Sequence, residues 1–338
     1  MTINCAIIGL GRSGYNIHYK SLIKKKNFKL LAVCDIDSKK LKLIKNTKNL
    51  NKYNDYKKVN NIQNLDLVII STNSISLFKI SKFFLKNKIS IVVEKPFCKN
   101  INSFDELISL SKKYKSKIFP FFNFRYEKAY TVIKDLLKNK MIGKIYEIKR
   151  NETYFNRRDD WQSQKKELGG IINAAAIHQI DQLINLIPYK IKKTFAHTNK
   201  IVSKGDADDY LKLIILYHNN LLVDLETSWS NSIPDLKWVI LGSKGAIYQN
   251  KNNVFVKYFK EKHISLIKRD QFSYNSSEKI NWKIKKYNLI NNHDINSSQI
   301  FYKELLILLK NNKNYKLSLK KSLKTLGFIN HYLYEKKR

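Results

Sequence analysis

Residues 9–14 read Gly-Leu-Gly-Arg-Ser-Gly, in a chain with only ten glycines among its 338 residues. Glycines gathered so tightly in a glycine-poor chain need a backbone reason. The flanks supply one. Residues 3–8 (INCAII) read as a buried strand, the stretch to about Lys26 as a helix, and residues 28–34 (FKLLAVC) as a second strand ending at Asp35. Strand, glycine turn, helix, strand, acid is the order of a dinucleotide-binding unit. The first glycine allows the tight turn, the second lets a pyrophosphate approach the backbone, and the third lets the helix pack close with its N-terminus toward the phosphates. Asp35 follows Gly14 by 21 residues, near the spacing of a carboxylate that holds ribose hydroxyls. Gly9, Gly11, Arg12, Ser13, Gly14 and Asp35 are therefore candidate cofactor residues.

The alternation continues with strands at 65–72, 89–94 and 117–122, and helices at 76–87 and 103–114. Strands alternating with helices imply a parallel sheet covered on both faces, with ligands at the carboxyl ends of the strands. Ser71, Thr72 and Asn73 stand at one such end, and Glu94 and Lys95 at another. After about residue 123 the pattern changes. A helix at 126–139, a long strand from 143 and a helix at 171–187 lead to strand-like runs at 191–200, 209–217, 221–230, 237–249 and 251–259. Consecutive strands imply a mixed, mostly antiparallel sheet open on one face. Residues 260–295 are polar without a readable period, and helices at about 296–311 and 317–334 close the chain. The expected fold is α/β: a Rossmann doubly wound parallel sheet in residues 1–122, then an α+β domain with an open sheet in residues 123–338. The last helices are free to pack back on the first domain.

The net charge of +37 invites a nucleic-acid partner, but the composition argues otherwise. The chain has seven arginines, and base-edge readers depend on arginine's bidentate fork. Its lysines are spread evenly among asparagine and isoleucine, residue types that share A/T-rich codons. No specific nucleic-acid partner is expected. No apolar run approaches the ~18 residues of a membrane helix, and the N-terminus carries no signal-peptide pattern. Cys5, Cys34 and Cys98 lie far apart, which fits a reducing cytoplasm and neither a disulfide framework nor a metal site.

At residues 91–97 (IVVEKPF) a buried strand ends in a carboxylate, an amine and a proline. A solvated ion pair is one account. The other is chemical. Oxidising a secondary alcohol sends a hydride to a nicotinamide and a proton to a base, and a cation must steady the developing alkoxide. An amine beside the nicotinamide serves both ends, its proton affinity set by burial and neighbouring charge. Lys95 is the candidate, with Glu94 orienting or balancing it and Pro96 fixing the chain's exit. His178 lies in a segment of helical apolar spacing, where a histidine is either a packed core residue or part of a site. Asp181, three residues on, shares its helix face and is placed to orient the imidazole.

Several segments together resemble the glucose-fructose oxidoreductase / inositol dehydrogenase / MocA family. They are the glycine turn, Glu94-Lys95-Pro96, FNFRYEKAY (122–130), MIGKI (141–145), DDWQSQKKELGG (159–170), GGIINAAAIHQID (169–181) and LGSKGAIYQ (241–249). The resemblance covers nearly the whole chain in order. It implies a nicotinamide-dependent oxidoreductase acting on a sugar, polyol or nucleotide sugar, with NAD as cofactor and NADP possible. It also implies a second domain that binds substrate and joins subunits, as a homodimer or homotetramer, through its open sheet. Lys95 and His178 are then the catalytic pair. The sequence departs from the family where Asp or Asn commonly stands four residues before the histidine: here it is Ala174. Asn173 is a substrate candidate, but its side chain is turned away from His178 by more than a third of a turn.

Four of the seven arginines fall between 125 and 158. Arg125 beside Tyr126 is placed to hold a substrate carboxylate, phosphate or ring hydroxyl, or to make an interdomain ion pair. Trp161, after Arg157, Arg158, Asp159 and Asp160, is placed to stack on a sugar ring or to fill a core. Asn123 is a substrate contact or a cap, and His18 a structural group or a nucleotide neighbour. Asp35 favours NAD by repelling a 2'-phosphate, with Ser38, Lys39 and Lys40 close enough to soften that preference. Two alternatives to a dehydrogenase stay open: a nucleotide-binding regulator without turnover, and a glycosidase or lyase that uses NAD transiently.

Overall fold

The computed structural model describes residues 2–44, 50–96, 101–233, 235–266, 278–290 and 297–335. Six parallel strands form the first sheet: β1 (Ile3–Ile8), β2 (Phe28–Cys34), β3 (Asn51–Tyr53), β4 (Leu67–Ile70), β5 (Ser90–Val93) and β6 (Ile118–Pro120), in the order β3-β2-β1-β4-β5-β6. The helices between them are α1 (a π turn, Gly14–Tyr19, continued by Lys20–Leu22), α2 (Ser38–Lys42), α3 (Tyr56–Val59), α4 (Ser74–Lys86) and α5 (Ile101–Lys113). Then come α6 (Lys128–Lys138), β7 (Ile145–Thr153), a π turn (Ile172–Ala176) leading into α7 (Ile177–Leu186), and β8 (Ile191–Asn199). The chain continues with β9 (Tyr210–Tyr217), β10 (Leu222–Ser228), β11 (Trp238–Gly242), β12 (Gly245–Asn250) and β13 (Asn253–Tyr258). A small hairpin, β14 (Ile264–Leu266) with β15 (Glu278–Ile280), precedes β16 (Lys283–Asn288), α8 (Ser297–Lys310) and α9 (Asn312–Ile329).

The parallel sheet is apolar on both faces, as a sheet between two helix layers must be. One face sets Ala6, Ile8, Val68 and Ile70 in a core with Phe84 and Leu85 of α4 and Phe104 and Leu107 of α5. The other sets Cys5, Ile7, Leu67, Ile69 and Val92 with Leu22 of α1 and with Phe301, Tyr302, Leu305 and Leu308 of α8. A helix from the end of the chain thus completes the core of the N-terminal sheet.

The second sheet has eight strands in the order β16-β13-β12-β11-β7-β10-β9-β8, with β7 and β10 parallel and the other neighbours antiparallel. Burial alternates along it: Leu211, Leu213 and Ile215 of β9 are enclosed, while Lys212, Ile214 and Leu216 lie half exposed on the opposite face. The run expected as one strand over 237–249 is a hairpin, β11 and β12, which reverses over Ser243 and Lys244 and pairs Gly242 with Gly245. The polar stretch 260–295 contributes the edge strand β16. The short elements α2, β3 and α3 were not foreseen, and the first helix stops at Leu22 rather than near Lys26. Cys5 and Cys34 are free and buried, and Cys98 lies outside the described residues. Among the described residues no helix is long and apolar enough to cross a membrane.

Register decides where the site lies. Ile8 pairs with Cys34 and with Ile70, Ile70 with Val93, and Val93 with Pro120. The residues that follow, Gly9, Asp35, Ser71, Glu94 and Phe121, therefore stand in a row along the carboxyl edge of the sheet.

Candidate active site

A cleft of about 700 Å³ opens at that edge. Gly9, Gly11, Arg12, Ser13, Asp35, Ser71, Thr72, Asn73, Glu94 and Lys95 all line it, and Trp161 and Gln162 reach it from the second half of the chain. The glycines divide by role. Gly9 has φ +93°, and a Cβ there would sit 2.5 Å from the Ser71 carbonyl oxygen. Gly14 does not line the cleft: a Cβ on it would fall 1.9 Å from the Gly9 carbonyl oxygen, so it lets α1 start against the turn. At Gly11 a Cβ would meet nothing within 4 Å. Protein packing does not require that glycine, whereas close approach by a pyrophosphate does. Asp35 faces the same space, 6% exposed. Its carboxylate accepts from Leu10 N (2.7 Å) and Asp37 N (2.9 Å), which ties the acid to the glycine turn. The residues present fit a dinucleotide.

At the end of β5 the two charges part company. Glu94 turns inward, where His18 Nε2 lies 3.0 Å from its Oε1 and His18 Nδ1 lies 2.7 Å from the Tyr302 hydroxyl of α8. His18 is fully enclosed, with Phe121 edge-on to its ring at 4.5 Å. Lys95 turns the other way, and its ammonium donates to the Ala174 carbonyl oxygen at 2.5 Å. Burial lowers the Lys95 pKa. Glu94 partly opposes this, Arg12 and Arg158 add to it, and the value comes down to about 8. The amine is thus held in place by a backbone carbonyl within a π turn of the kind often found at functional sites, and its pKa lies near the physiological range.

His178 is buried and stacks on Phe124 (4.2 Å between ring centres), with Phe122 edge-on. Burial, then the charges of Lys95 and Arg125, push its pKa well below the ordinary 6.5, so the imidazole is neutral at physiological pH. Its Nδ1 is buried without a hydrogen-bond partner among the described residues, and His178 is not among the residues that line the cleft. Asp181 does not orient it. The Asp181 carboxylate is clasped by Arg125 through two bonds of 2.7 and 2.6 Å and also accepts from Thr325 (2.7 Å) and Asn185 (3.0 Å). Of the two readings of Arg125, a substrate contact or an ion pair, the structure has the ion pair, which joins α7 to α9 through Asp181 and Ser322. Removing one member of so enclosed a pair leaves the other charge unmatched. Asp181→Ala is therefore expected to lower unfolding free energy by about 3–5 kcal/mol in urea titration.

The other expected substrate residues scatter. Asn123 is buried at the start of the turn Asn123–Tyr126, and its side chain has no hydrogen-bond partner among the described residues. Tyr126 sets its ring edge-on to Phe301 of α8. Asn173 donates to the Leu168 carbonyl (3.1 Å) and accepts from the Tyr334 hydroxyl (2.8 Å). Trp161 stands on the cleft wall, where Arg12 donates to Gln162 at 2.9 Å and so links the glycine turn to the second half of the chain. Arg158 pairs with Asp160 and lies over the Trp229 ring, and Arg150 is buried over Trp238. Sequence reasoning missed Gln162, Tyr56, Ser76 and Lys79 on the cleft wall, the Phe124 stack and the Ala174 carbonyl. The one available signal was position: Ser76 and Lys79 open the helix that follows a strand end.

Residues 3–122 match the oxidoreductase family with an NAD-binding Rossmann fold, and residues 130–248 match the GFO/IDH/MocA C-terminal domain. The chain is 23% identical over 267 residues to the uncharacterised oxidoreductase YhhX of Escherichia coli, covering 76% of this chain and 72% of that protein. It is 26% identical over 254 residues to the myo-inositol 2-dehydrogenase of Thermotoga maritima, covering 72% and 73%. Its fold is that of an oxidoreductase from Agrobacterium radiobacter solved with NAD+, L-tartaric acid and magnesium, with a TM-score of 0.72 at 17% identity over 97% of this chain and 94% of that one.

Proposed function

The chain belongs to the GFO/IDH/MocA family of NAD-binding oxidoreductases, and from that premise we propose that it moves a hydride between nicotinamide and a hydroxyl-bearing carbon of a sugar, polyol or nucleotide sugar. The observation that carries this is Lys95: a cation at the cleft, anchored on Ala174 at 2.5 Å and tuned to about pH 8. Two relatives point to the substrate class, one named for a polyol and one crystallised with a hydroxy acid.

Gly9, Gly11, Asp35 and Ser71 would hold the dinucleotide, which supplies the hydride acceptor or donor. Lys95 takes the proton from the substrate hydroxyl during oxidation and returns it during reduction. In reduction the lysine starts as the ammonium, and its positive charge favours the developing alkoxide until the proton is handed over. The neutral His178 lies near enough to Lys95 to feel its charge, and it would meet a substrate hydroxyl only once its enclosed ring is uncovered. With Ala at 174, no carboxylate raises the proton affinity of the lysine from that side, and the carbonyl there fixes its position alone.

The sign of the pH dependence follows. Oxidation needs the neutral amine, so kcat/KM should rise with pH and level off above about 8. Reduction needs the ammonium and should fall over the same range. Ala174→Asp places an anion beside the amine and should move both limbs up by ~1 pH unit. Following NADH formation over a panel of polyols, sugars, hydroxy acids and nucleotide sugars tests the reading. Binding of NADH with no turnover on any panel member would count against it.

A homo-oligomer through the open face of the second sheet, in the cytoplasm, is part of the proposal. That face carries Val239, Leu241 and the stacked pair Tyr248 and Phe255, with Phe195 62% exposed on β8. Sedimentation should give a dimer or tetramer, and charges placed at Tyr248 and Phe255 should yield a monomer.

A further inference from the structure

We propose a second small-molecule site, between α7, β8 and α9, that takes a single-ring aromatic acid bearing one further hydrogen-bonding oxygen. A cavity of about 260 Å³ lies there and shares no lining residue with the cleft. Its volume suits one ring with short substituents, below the ~300–1,000 Å³ typical of sites for larger ligands. Ile184 and Ile187 of α7 and Phe328 of α9 give it apolar walls, and Tyr189, Tyr217 and Tyr332 add aromatic rings. Aromatic walls favour an aromatic ligand through ring–ring contact.

The lining is built for an occupant in three places. Gly327 lies inside α9, where glycine is destabilising relative to alanine. A Cβ on it would meet nothing within 4 Å, so packing within the chain does not require the glycine, while a longer side chain would take up the cavity that it lines. Tyr217 is 1% exposed, and its hydroxyl is buried with no hydrogen-bond partner among the described residues. Burial raises its pKa and the neighbouring Tyr332 adds to this, so the phenol keeps its proton and offers a donor. An enclosed donor is costly until an acceptor reaches it. Lys324 brings the charge. Its ammonium donates to the Ile184 carbonyl oxygen at 2.6 Å, which uses one of its three protons, and no carboxylate pairs with it among the described residues. Burial lowers its pKa, a strain that an arriving anion relieves. His331, also on the lining, is already paired with Glu335 (3.4 Å). An aromatic carboxylate therefore meets ring-bearing walls, a cation without a counter-ion and a phenol without an acceptor.

Fluorine NMR titration with 3-fluoro-4-hydroxybenzoate, on the intact chain with NADH present to occupy the cleft, tests this. The wild type is expected to bind the probe with a Kd of about 0.1–1 mM, as suits a ligand of ~11 non-hydrogen atoms. Lys324→Met is expected to weaken binding about tenfold and Tyr217→Phe about fivefold, with NADH binding at the wild-type value in both. Tyr217→Phe removes a hydroxyl that pairs with nothing, so its melting temperature without the probe should not fall. Gly327→Leu fills the space and should abolish binding while raising the melting temperature. No saturable binding by the wild type up to about 2 mM, or binding that all three variants leave unchanged, would overturn the proposal. A Gly327→Leu protein that sediments as a smaller species than the wild type would overturn it too, and would assign the cavity to a contact between copies of the chain.

Discussion

Lys95→Met is expected to lower kcat by about a thousandfold or more in either direction, while NADH binding changes by no more than a few-fold. Methionine keeps the length and apolar body of the side chain and removes the group that moves the proton. The bond to Ala174 disappears with it, but Glu94 keeps its contact with His18, so the end of β5 stays in place. What should remain is a protein that binds nucleotide and does not turn over. The pH limb near 8 should vanish as well, since the group that titrates there is gone. Turnover that survived with that limb intact would remove Lys95 from the proton path and leave His178 as the next candidate. His178, with its pKa pushed well below 6.5, would place the limb at acid pH instead.

The second large effect separates two glycines three positions apart. Gly14→Ala brings a methyl to 1.9 Å from a backbone oxygen of the turn, so α1 or the turn must shift. The folded state should lose stability and nucleotide affinity together. Gly11→Ala meets open space within 4 Å. Its melting temperature without nucleotide should equal the wild-type value, while its Kd for NADH rises by about a hundredfold, ~2.8 kcal/mol at 1.4 kcal/mol per decade. Differential scanning fluorimetry with and without NADH distinguishes the two. If Gly11→Ala bound NADH as the wild type does, the pyrophosphate would not lie against the turn.

The nucleotide half of the site was legible because its parts are local. Gly9, Gly11, Gly14 and Asp35 lie within one βαβ unit, where chain spacing nearly fixes spatial spacing. The parallel register then carries Ser71 and Glu94 to the same edge. The substrate half was harder, because partners there are chosen by packing between distant elements. Arg125 and Asp181 are 56 residues apart, and only the crossing of α7 with the turn at 123–126 shows that they satisfy each other. The role of Ala174 was hidden for another reason: a sequence displays side chains, and this residue contributes its carbonyl. The hairpin in 237–249 was missed because period-two alternation reads alike on both sides of a two-residue turn. Lys79 gave no motif at all. Its place at the cleft follows only from the start of α4 at a strand end.

The position of α8 bears on how the chain is made. As residues 1–122 leave the ribosome, one face of their sheet has only α1 and its own loops to cover it. Cys5, Ile7, Leu67, Ile69 and Val92 must wait for Phe301, Tyr302, Leu305 and Leu308, which emerge only after the whole second sheet. The hydroxyl that anchors His18, and through it Glu94, arrives with the same helix. Domains that emerge first usually fold first. Here the nucleotide domain is finished only after the second sheet is made, so a messenger cut short anywhere before residue 297 would yield a chain with an open, sticky sheet and a His18 without its Tyr302 partner. Synthesis of α8 and assembly of the chemical site are one event.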